Sequence, residues 1–171
     1  MIFSPGRDAG RDFRTLFAAT KDLYAKVIVT ARDSFIAHLK PLPTNAIHTS
    51  YEPLELAKAY ARAKVLVITM SLARHNNDAM GLSTLMEMMA TGKPIVATDT
   101  ETMRAYIKNG ENGLLVPEGD AGALKQAIES LLADAVLCKR LGTAARAFTL
   151  KNCAAPVWAE NIAGYFKALV V

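Results

Sequence analysis

The sequence predicts an α/β fold: a Rossmann-like three-layer α/β/α domain with a parallel sheet of about six strands and a helical C-terminal tail. Strand and helix patterns alternate from residue 1 to residue 130, which is typical of a parallel sheet with helices on both faces. The run 64–70 (KVLVITM) is continuously apolar, as expected for a strand that is covered on both faces. The remaining residues show helical patterns only.

The composition favours one globular domain, because the chain has 171 residues, of which 51% are hydrophobic and 21% are charged. We expect neither a membrane span nor a signal peptide, since no apolar run is long enough and the N-terminus lacks a leader pattern. Cys138 and Cys153 have no metal-site spacing, so we expect reduced thiols. The net charge of +4 favours an anionic small ligand or an anionic membrane surface, and the scattered basic residues do not favour nucleic acid.

The first part of the chain carries four predicted strands and three predicted helices. The β-branched run 25–31 (AKVIVTA) has strand length and composition. Pro41 and Pro43 end a short helix, whereas Pro53 suits the first turn of another. The predicted elements here are strands 1–4, 25–31, 46–49 and 64–70, and helices 12–23, 34–39 and 53–63.

The second part begins with a glycine turn at Gly81 and a helix that ends before Gly92. Its apolar stripe recurs every three or four residues, as in a helix that packs on one face. The members of that stripe are Leu82, Leu85, Met86 and Met89. We predict further strands at 94–98 and 113–116, and helices at 102–107, 121–132, 135–150 and from 156 to near 169.

The start of the helix after Gly81 is a candidate anion site. Glycine lets the backbone approach a phosphate closely, and the amides of Leu82 and Ser83 face outward at a helix start. Glu87 lies among apolar residues and needs a partner, and a carboxylate can accept from both hydroxyls of a ribose. The pattern therefore indicates a nucleotide or a nucleotide-sugar. The alternative is an ordinary core helix in which Ser83 is a cap and Glu87 is solvated.

The loop after the first strand carries two arginines around flexible glycines, Arg7 and Arg11. Guanidinium groups suit phosphate, although two solvated surface charges are an equally acceptable interpretation. The loop lacks the Gly-Lys-Ser/Thr of a P-loop and the Gly-x-Gly-x-x-Gly of dinucleotide-binding folds, so we do not expect NAD.

Residues 2–133 resemble the C-terminal, donor-binding half of a GT-B glycosyltransferase, and are most similar to the family-4 retaining enzymes (glycosyl transferases group 1). The two most specific segments follow each other in the family's order. They are Leu85-Met-Glu87-Met-Met-Ala-Thr-Gly92-Lys-Pro94-Ile-Val-Ala97 and Asn109-Gly110-Glu-Asn-Gly113-Leu-Leu-Val116-Pro117. Two others also match, Phe3-Ser-Pro-Gly6-Arg7 with Arg11-Asp12, and Leu56-Ala-Lys-Ala-Tyr60-Ala-Arg-Ala63 before the strand at 65–68.

The resemblance implies roles for particular residues. Glu87 matches the second acid of the paired-glutamate motif and would bind the ribose hydroxyls. Arg7 would contact the donor diphosphate, with Arg11 assisting at the place of a second cation. Gly81 and the amides around Leu82, Ser83 and Thr84 would hold the distal phosphate. The base would rest near the loop 50–54, with Tyr51 and Leu54 as candidate contacts.

The sequence departs from the family at the first acid of that motif. The family's spacing places this acid at Ala79, and Asp78 is one residue further away. Either the loop is one residue longer and Asp78 reaches the sugar as a catalytic residue beside Glu87, or the acid is lost. Asn76, Asn77 and His75 could also face sugar hydroxyls.

The resemblance also implies a second domain. We expect a donor-binding domain at 1–151 and a C-terminal helix at 152–171 that packs toward an N-terminal acceptor-binding domain, supplied in cis or as a partner subunit. Trp158, Ile162, Phe166 and Leu169 would form the apolar stripe of that helix.

The predicted function is donor binding in a retaining glycosyltransferase that uses a nucleoside-diphosphate sugar, with no metal or other cofactor. The isolated chain would bind the donor and transfer nothing. Three alternatives remain: a non-catalytic nucleotide-binding or regulatory module, a sugar-nucleotide epimerase, and an interaction domain without a ligand. We expect a cytoplasmic protein, with peripheral association at the inner face of the membrane left open.

Overall fold

The sheet of the protein has six parallel strands in the order β3-β2-β1-β4-β5-β6. A computed structural model describes residues 1–71 and 79–169 of the chain. The strands are β1 (Ile2–Ser4), β2 (Val27–Val29), β3 (Ala46–His48), β4 (Val65–Ile68), β5 (Ile95–Thr98) and β6 (Leu114–Val116). The predicted parallel sheet of about six strands is therefore confirmed.

Helices connect the strands and form the C-terminal part of the described chain. They are α1 (Phe13–Thr20), α2 (Asp33–Ile36), α3 (Pro53–Arg62), α4 (Leu82–Ala90), α5 (Glu101–Tyr106), α6 (Ala121–Ala133), α7 (Ala135–Asn152) and α8 (Ala155–Leu169), with a short 3-10 helix at Ala37–Leu39. Each predicted helix is present, and most differ from the prediction only by a few residues at their ends.

The chain reverses its direction across the sheet between β1 and β4. The connections from β1 to β2 and β3 build the sheet outward on one side, and those from β4 to β5 and β6 build it outward on the other. The loop after β1 and the first residues after β4 therefore lie at the carboxyl edge of the two central strands. In open parallel sheets this crevice is where ligands bind.

Alternation along the short strands divides the core into two layers. Ile2 faces a layer with Phe13 and Leu16 of α1, and the next residue, Phe3, faces a layer with Leu85 and Met88 of α4. Helix α6 completes the first layer and α3, α5 and α7 contribute to the second. The sheet is thus covered on both faces, which explains why β4 is apolar throughout.

The C-terminal helix α8 leaves part of its predicted apolar stripe in solvent. Trp158 and Phe166 are each 65% exposed, and Ile162 is half-buried. The proposed division at 151/152, and the packing of α8 toward another domain, stay predictions. No helix in the described part of the chain combines the length and the apolarity that a bilayer span requires.

Candidate functional site

A groove runs along the carboxyl edge of β1, β2 and β3. Three cavities of about 270, 90 and 520 Å³ form it, and Arg7 lines all three. The first lies between the loop after β1 and helices α3 and α4, and the other two lie over the ends of β2 and β3. The lining residues include Gly6, Arg7, Thr30, Thr49, Tyr51, Leu56, Tyr60, Thr84 and Glu87.

The loop after β1 is fixed at both ends. The amide of Gly6 donates to Thr30 Oγ1 at 3.0 Å, which ties the loop to the end of β2. On the other side, the amide of Asp12 donates to Thr69 O at 3.1 Å, and Thr69 Oγ1 donates to Asp12 O at 2.8 Å. Asp12 itself caps α1 through its side chain, which accepts from the amide of Thr15. The loop therefore holds Arg7 over the groove on an anchored backbone.

Arg7 has the properties of a cation that is available to a ligand. Its side chain is exposed, it borders the groove along its length, and it makes no ion pair with another residue of the described ranges. A guanidinium in this state can direct two donors at one phosphate. The predicted contact with a diphosphate remains a prediction, and the position of Arg7 is compatible with it.

Arg11 is in a different environment from Arg7. The residue is only 3% exposed, and its guanidinium donates twice to Asp8 Oδ2, at 3.0 and 3.2 Å. Burial lowers the pKa of Arg11, and the adjacent carboxylate of Asp8 opposes that effect. Gly6 lies directly over the guanidinium, where a Cβ atom would overlap it. Arg11 is thus already paired inside the protein, and its predicted assistance to the diphosphate stays a prediction.

One donor of Arg11 has no acceptor. Its Nη1 is buried and makes no hydrogen bond within the part of the chain that the structure describes. The carboxylate of Asp8, 3.0 Å from Nη2, compensates the charge of this guanidinium, and Asp8 lines the cavity of about 270 Å³.

The start of α4 presents free amides next to the groove. Gly81 precedes the helix with a φ of +82°, a conformation that side chains other than glycine rarely adopt. The amide of Leu82 donates to Ala79 O at 3.2 Å, whereas those of Ser83 and Thr84 have no acceptor among the described residues. Ser83 does not cap the helix, because the cap position belongs to Gly81. The amides of Ser83 and Thr84 are therefore the ones open to an anion.

Glu87 lies one turn further along α4, on its exposed side. Its sequence neighbour Met88 turns into the core, whereas Glu87 is exposed. The carboxylate nevertheless has a partner, since Tyr60 Oη donates to Glu87 Oε2 at 2.8 Å. Burial, together with the hydrogen bond to the negative carboxylate, raises the pKa of Tyr60 far above its usual range, so the phenol remains a donor.

The two candidate base contacts differ in position. Tyr51 lines the cavity of about 90 Å³, and its ring meets Phe3 edge to face at 6.3 Å. Leu54 is 68% exposed and lines none of the three cavities. Leu56, two residues further on, lines two of them. The structure thus brings Tyr51 to the groove and leaves Leu54 outside it.

The candidate first acid cannot be placed. Asp78, with His75, Asn76 and Asn77, lies outside the described residues. Ala79, the position that the family's spacing assigns to this acid, is in the turn that leads into Gly81. In the described ranges, no three potential ligands among His, Cys, Asp and Glu cluster to suit a metal. The expectation of no metal stays a prediction.

The sequence pattern of the family described as "Glycosyl transferases group 1" matches residues 33–148. The chain belongs to the group 1 glycosyltransferases. It is 31% identical over 150 residues to the D-inositol 3-phosphate glycosyltransferase of Corynebacterium diphtheriae, a match that covers 81% of this chain and 31% of that enzyme. The chain spans 10% to 31% of the length of the curated relatives that it matches.

Solved structures confirm the fold expected of a group 1 glycosyltransferase. Anabaena HepE, crystallised with UDP and glucose, superposes with a TM-score of 0.83 at 15% identity and covers 97% of this chain, which spans 48% of HepE. The C-terminal domain of the Francisella tularensis glycosyltransferase LpcC superposes with a TM-score of 0.70 at 16% identity, covering 88% of this chain and 84% of that domain. The Rossmann-like fold of one half of a GT-B glycosyltransferase is therefore present.

Sequence reasoning gave no role to several residues that line the groove, among them Thr30, Leu56 and Tyr60. Leu56 and Tyr60 stood inside one matched segment, and Thr30 was not singled out. A threonine directly after a strand of a parallel sheet was an available signal, because such positions face the ligand crevice. Tyr60 carried no comparable signal, since its bond to Glu87 joins residues that are 27 positions apart.

Proposed function

We propose that this chain is the donor-binding domain of a retaining glycosyltransferase that uses a nucleoside-diphosphate sugar. The observation that carries the proposal is that three groups line one cavity: the exposed guanidinium of Arg7, the start of α4 at Thr84, and the carboxylate of Glu87. Cation and amides suit a diphosphate, and the carboxylate suits a ribose diol.

The proposed contribution to catalysis is electrostatic. Transfer of the sugar leaves a nucleoside diphosphate on which negative charge develops. The amides of Ser83 and Thr84, which have no acceptor among the described residues, are fixed donors on that side of the groove, and Arg7 is an exposed cation beside them. Donors held in place before the reaction stabilise such charge without reorganisation.

The base would lie in the cavity of about 90 Å³ over the end of β2, beside Tyr51 and the hydroxyls of Thr30 and Thr49. HepE was crystallised with UDP and glucose, which supports a nucleotide-sugar donor for this fold. Uracil is therefore the first base to test.

The acceptor would be held by an N-terminal domain, in cis or as a partner subunit. The partial coverage of HepE supports this arrangement, because the chain matches about half of that enzyme. On this proposal, the chain binds the donor and catalyses no transfer until that domain is supplied.

The experiment is a thermal-shift panel of UDP, GDP, ADP and their common sugar conjugates on this chain. A ligand that binds the folded state raises the melting temperature by mass action. We expect a selective rise with one base, and a much smaller rise with that nucleotide in the Glu87→Gln variant. No rise at millimolar concentration with any member of the panel would contradict the proposal.

A nucleotide-binding module without transferase activity is the second candidate. The observation that favours it is alanine at position 79, where the family's spacing places the first acid. The same panel separates the two functions, because this module would bind the bare diphosphate as well as its sugar conjugate. A donor-binding domain that uses Asp78 would lose affinity for the conjugate alone on Asp78→Ala.

A further inference from the structure

Tyr60 links the buried core to the exposed carboxylate of the groove. Its ring is 6% exposed and packs edge to face on Phe3, with ring centroids 5.3 Å apart. Phe3 is itself fully buried on the central strand β1. A ring held in this way has one orientation, so its hydroxyl is a fixed point on the wall of the cavity.

Glu87 depends on that fixed point for its own orientation. Its side chain is exposed, and the bond from Tyr60 Oη to Oε2 is its one side-chain hydrogen bond within the described residues. A solvated glutamate samples many rotamers, and a ligand that orders it must offset the lost entropy. Because Tyr60 occupies one carboxylate oxygen, Oε1 and the remaining lone pairs are left for a second donor.

We propose that Tyr60 is the positioning residue that orients Glu87 toward the ribose, and that it thereby sets the preference of the site for ribose over deoxyribose. This inference rests on the proposed nucleotide-binding function. Tyr60 and Glu87 line the same cavity of about 270 Å³ as Arg7, so the oriented carboxylate lies beside the cation expected to hold the diphosphate. Preorganisation of this kind raises affinity by reducing the entropy lost on binding.

The alternative is that Tyr60 is only a structural residue, since its ring fills the layer between β1 and α4. The two roles separate chemically, because Tyr60→Phe keeps the ring and removes the hydroxyl. A structural role predicts equal losses for every ligand. A positioning role predicts a loss that depends on the hydroxyls of the sugar.

The test is calorimetry with UDP, GDP and ADP, each beside its 2′-deoxy analogue, and with inorganic pyrophosphate, on this chain and its Tyr60→Phe variant. We expect the parent to prefer the ribonucleotide by about 10-fold, as for a hydrogen bond to a charged group. Tyr60→Phe should weaken ribonucleotide binding by about 3- to 10-fold, weaken the 2′-deoxynucleotide less because only its 3′-hydroxyl can still meet Glu87, and leave pyrophosphate unchanged.

Two variants act as controls. Tyr106→Phe removes a hydroxyl from a tyrosine that packs against the same core layer but lies outside the groove, and should change none of these affinities. In a Glu87→Gln background, Tyr60→Phe should have almost no further effect, because the two changes act through one contact.

The outcomes are distinguishable. A parent chain that binds none of the nucleotides would overturn both the proposed function and this inference. Binding with an unchanged ribose preference in Tyr60→Phe, or an equal loss for all ligands including pyrophosphate, would overturn the positioning role and leave the proposed function intact.

Discussion

Two arginines of the candidate site differ in burial and in ion pairing, and this difference decides which of them is accessible to a ligand. Arg7 and Arg11 are four positions apart on one loop, yet Arg7 is exposed and unpaired within the described ranges while Arg11 is buried against Asp8. Of these two arginines, Arg7 is accessible to a ligand and Arg11 is buried. Arg11 packs beneath Gly6, where a Cβ atom would overlap its guanidinium.

The first residue-scale prediction concerns Arg7. Arg7→Ala should weaken nucleoside-diphosphate binding by about 1.5–3 kcal/mol, the range for a hydrogen bond to a charged group. Isothermal titration calorimetry measures this difference. Arg14→Ala is the matched control, because Arg14 is an exposed arginine on α1 that lines none of the three cavities. Equal affinities of Arg7→Ala and the parent would exclude the assigned role.

At the scale of elements, helix α7 determines how α4 sits on the sheet. The two helices pack against each other, and the turn after α4 lies on α7 at Gly142. A Cβ atom on Gly142 would overlap the carbonyl oxygen of Gly92. The close approach of α7 to this turn therefore requires glycine, although glycine lowers helix propensity.

The element-scale prediction follows from that contact. Gly142→Ala should lower the free energy of unfolding by about 1–3 kcal/mol, because the overlap outweighs the gain in helix propensity. Urea denaturation gives the value. Gly164→Ala in α8 is the matched control, since no atom lies within 4 Å of its Cβ position, and it should stabilise by up to about 1 kcal/mol. If alanine raised the free energy of unfolding at both glycines, the turn after α4 and α7 would have to move apart at little cost, and the prediction would be wrong.

For the whole molecule, the most informative surface is the face of α8. Trp158 and Phe166 are large and exposed, whereas Phe17 of the core is 6% exposed. Exposed aromatic groups spaced along one helix are typical of a surface that contacts another domain or chain. This chain spans 48% of HepE and 31% of the Corynebacterium diphtheriae enzyme, which is compatible with such a contact.

A stability measurement tests whether that face is free within the chain. Replacing Trp158 and Phe166 together by Ser should change the free energy of unfolding by less than about 0.5 kcal/mol, because both side chains are mostly exposed. Phe17→Ala, which empties a buried site, should cost about 3–5 kcal/mol. A comparable loss in the serine variant would mean that α8 is packed onto the domain in solution.

The sequence by itself determined the α/β fold, the six strands, and the segments that meet at the carboxyl edge of the sheet. Those features follow from local patterns: apolar runs, proline and glycine positions, and helical periodicity. It also placed Arg7, Gly81 and Glu87 on the correct loops and helix, because a parallel sheet directs such segments to one edge.

Only the tertiary structure decided which of these groups are free. In the folded chain Arg11 is buried and paired with Asp8, and Tyr60 donates a hydrogen bond to Glu87. Leu54 is exposed outside the groove, whereas Leu56 lines it. Some of these outcomes depend on contacts between segments that are far apart in sequence. The others depend on which side of a helix or loop packs against the core. Local patterns do not encode the packing of α3 against α4 and β1, and that packing gives Glu87 its partner.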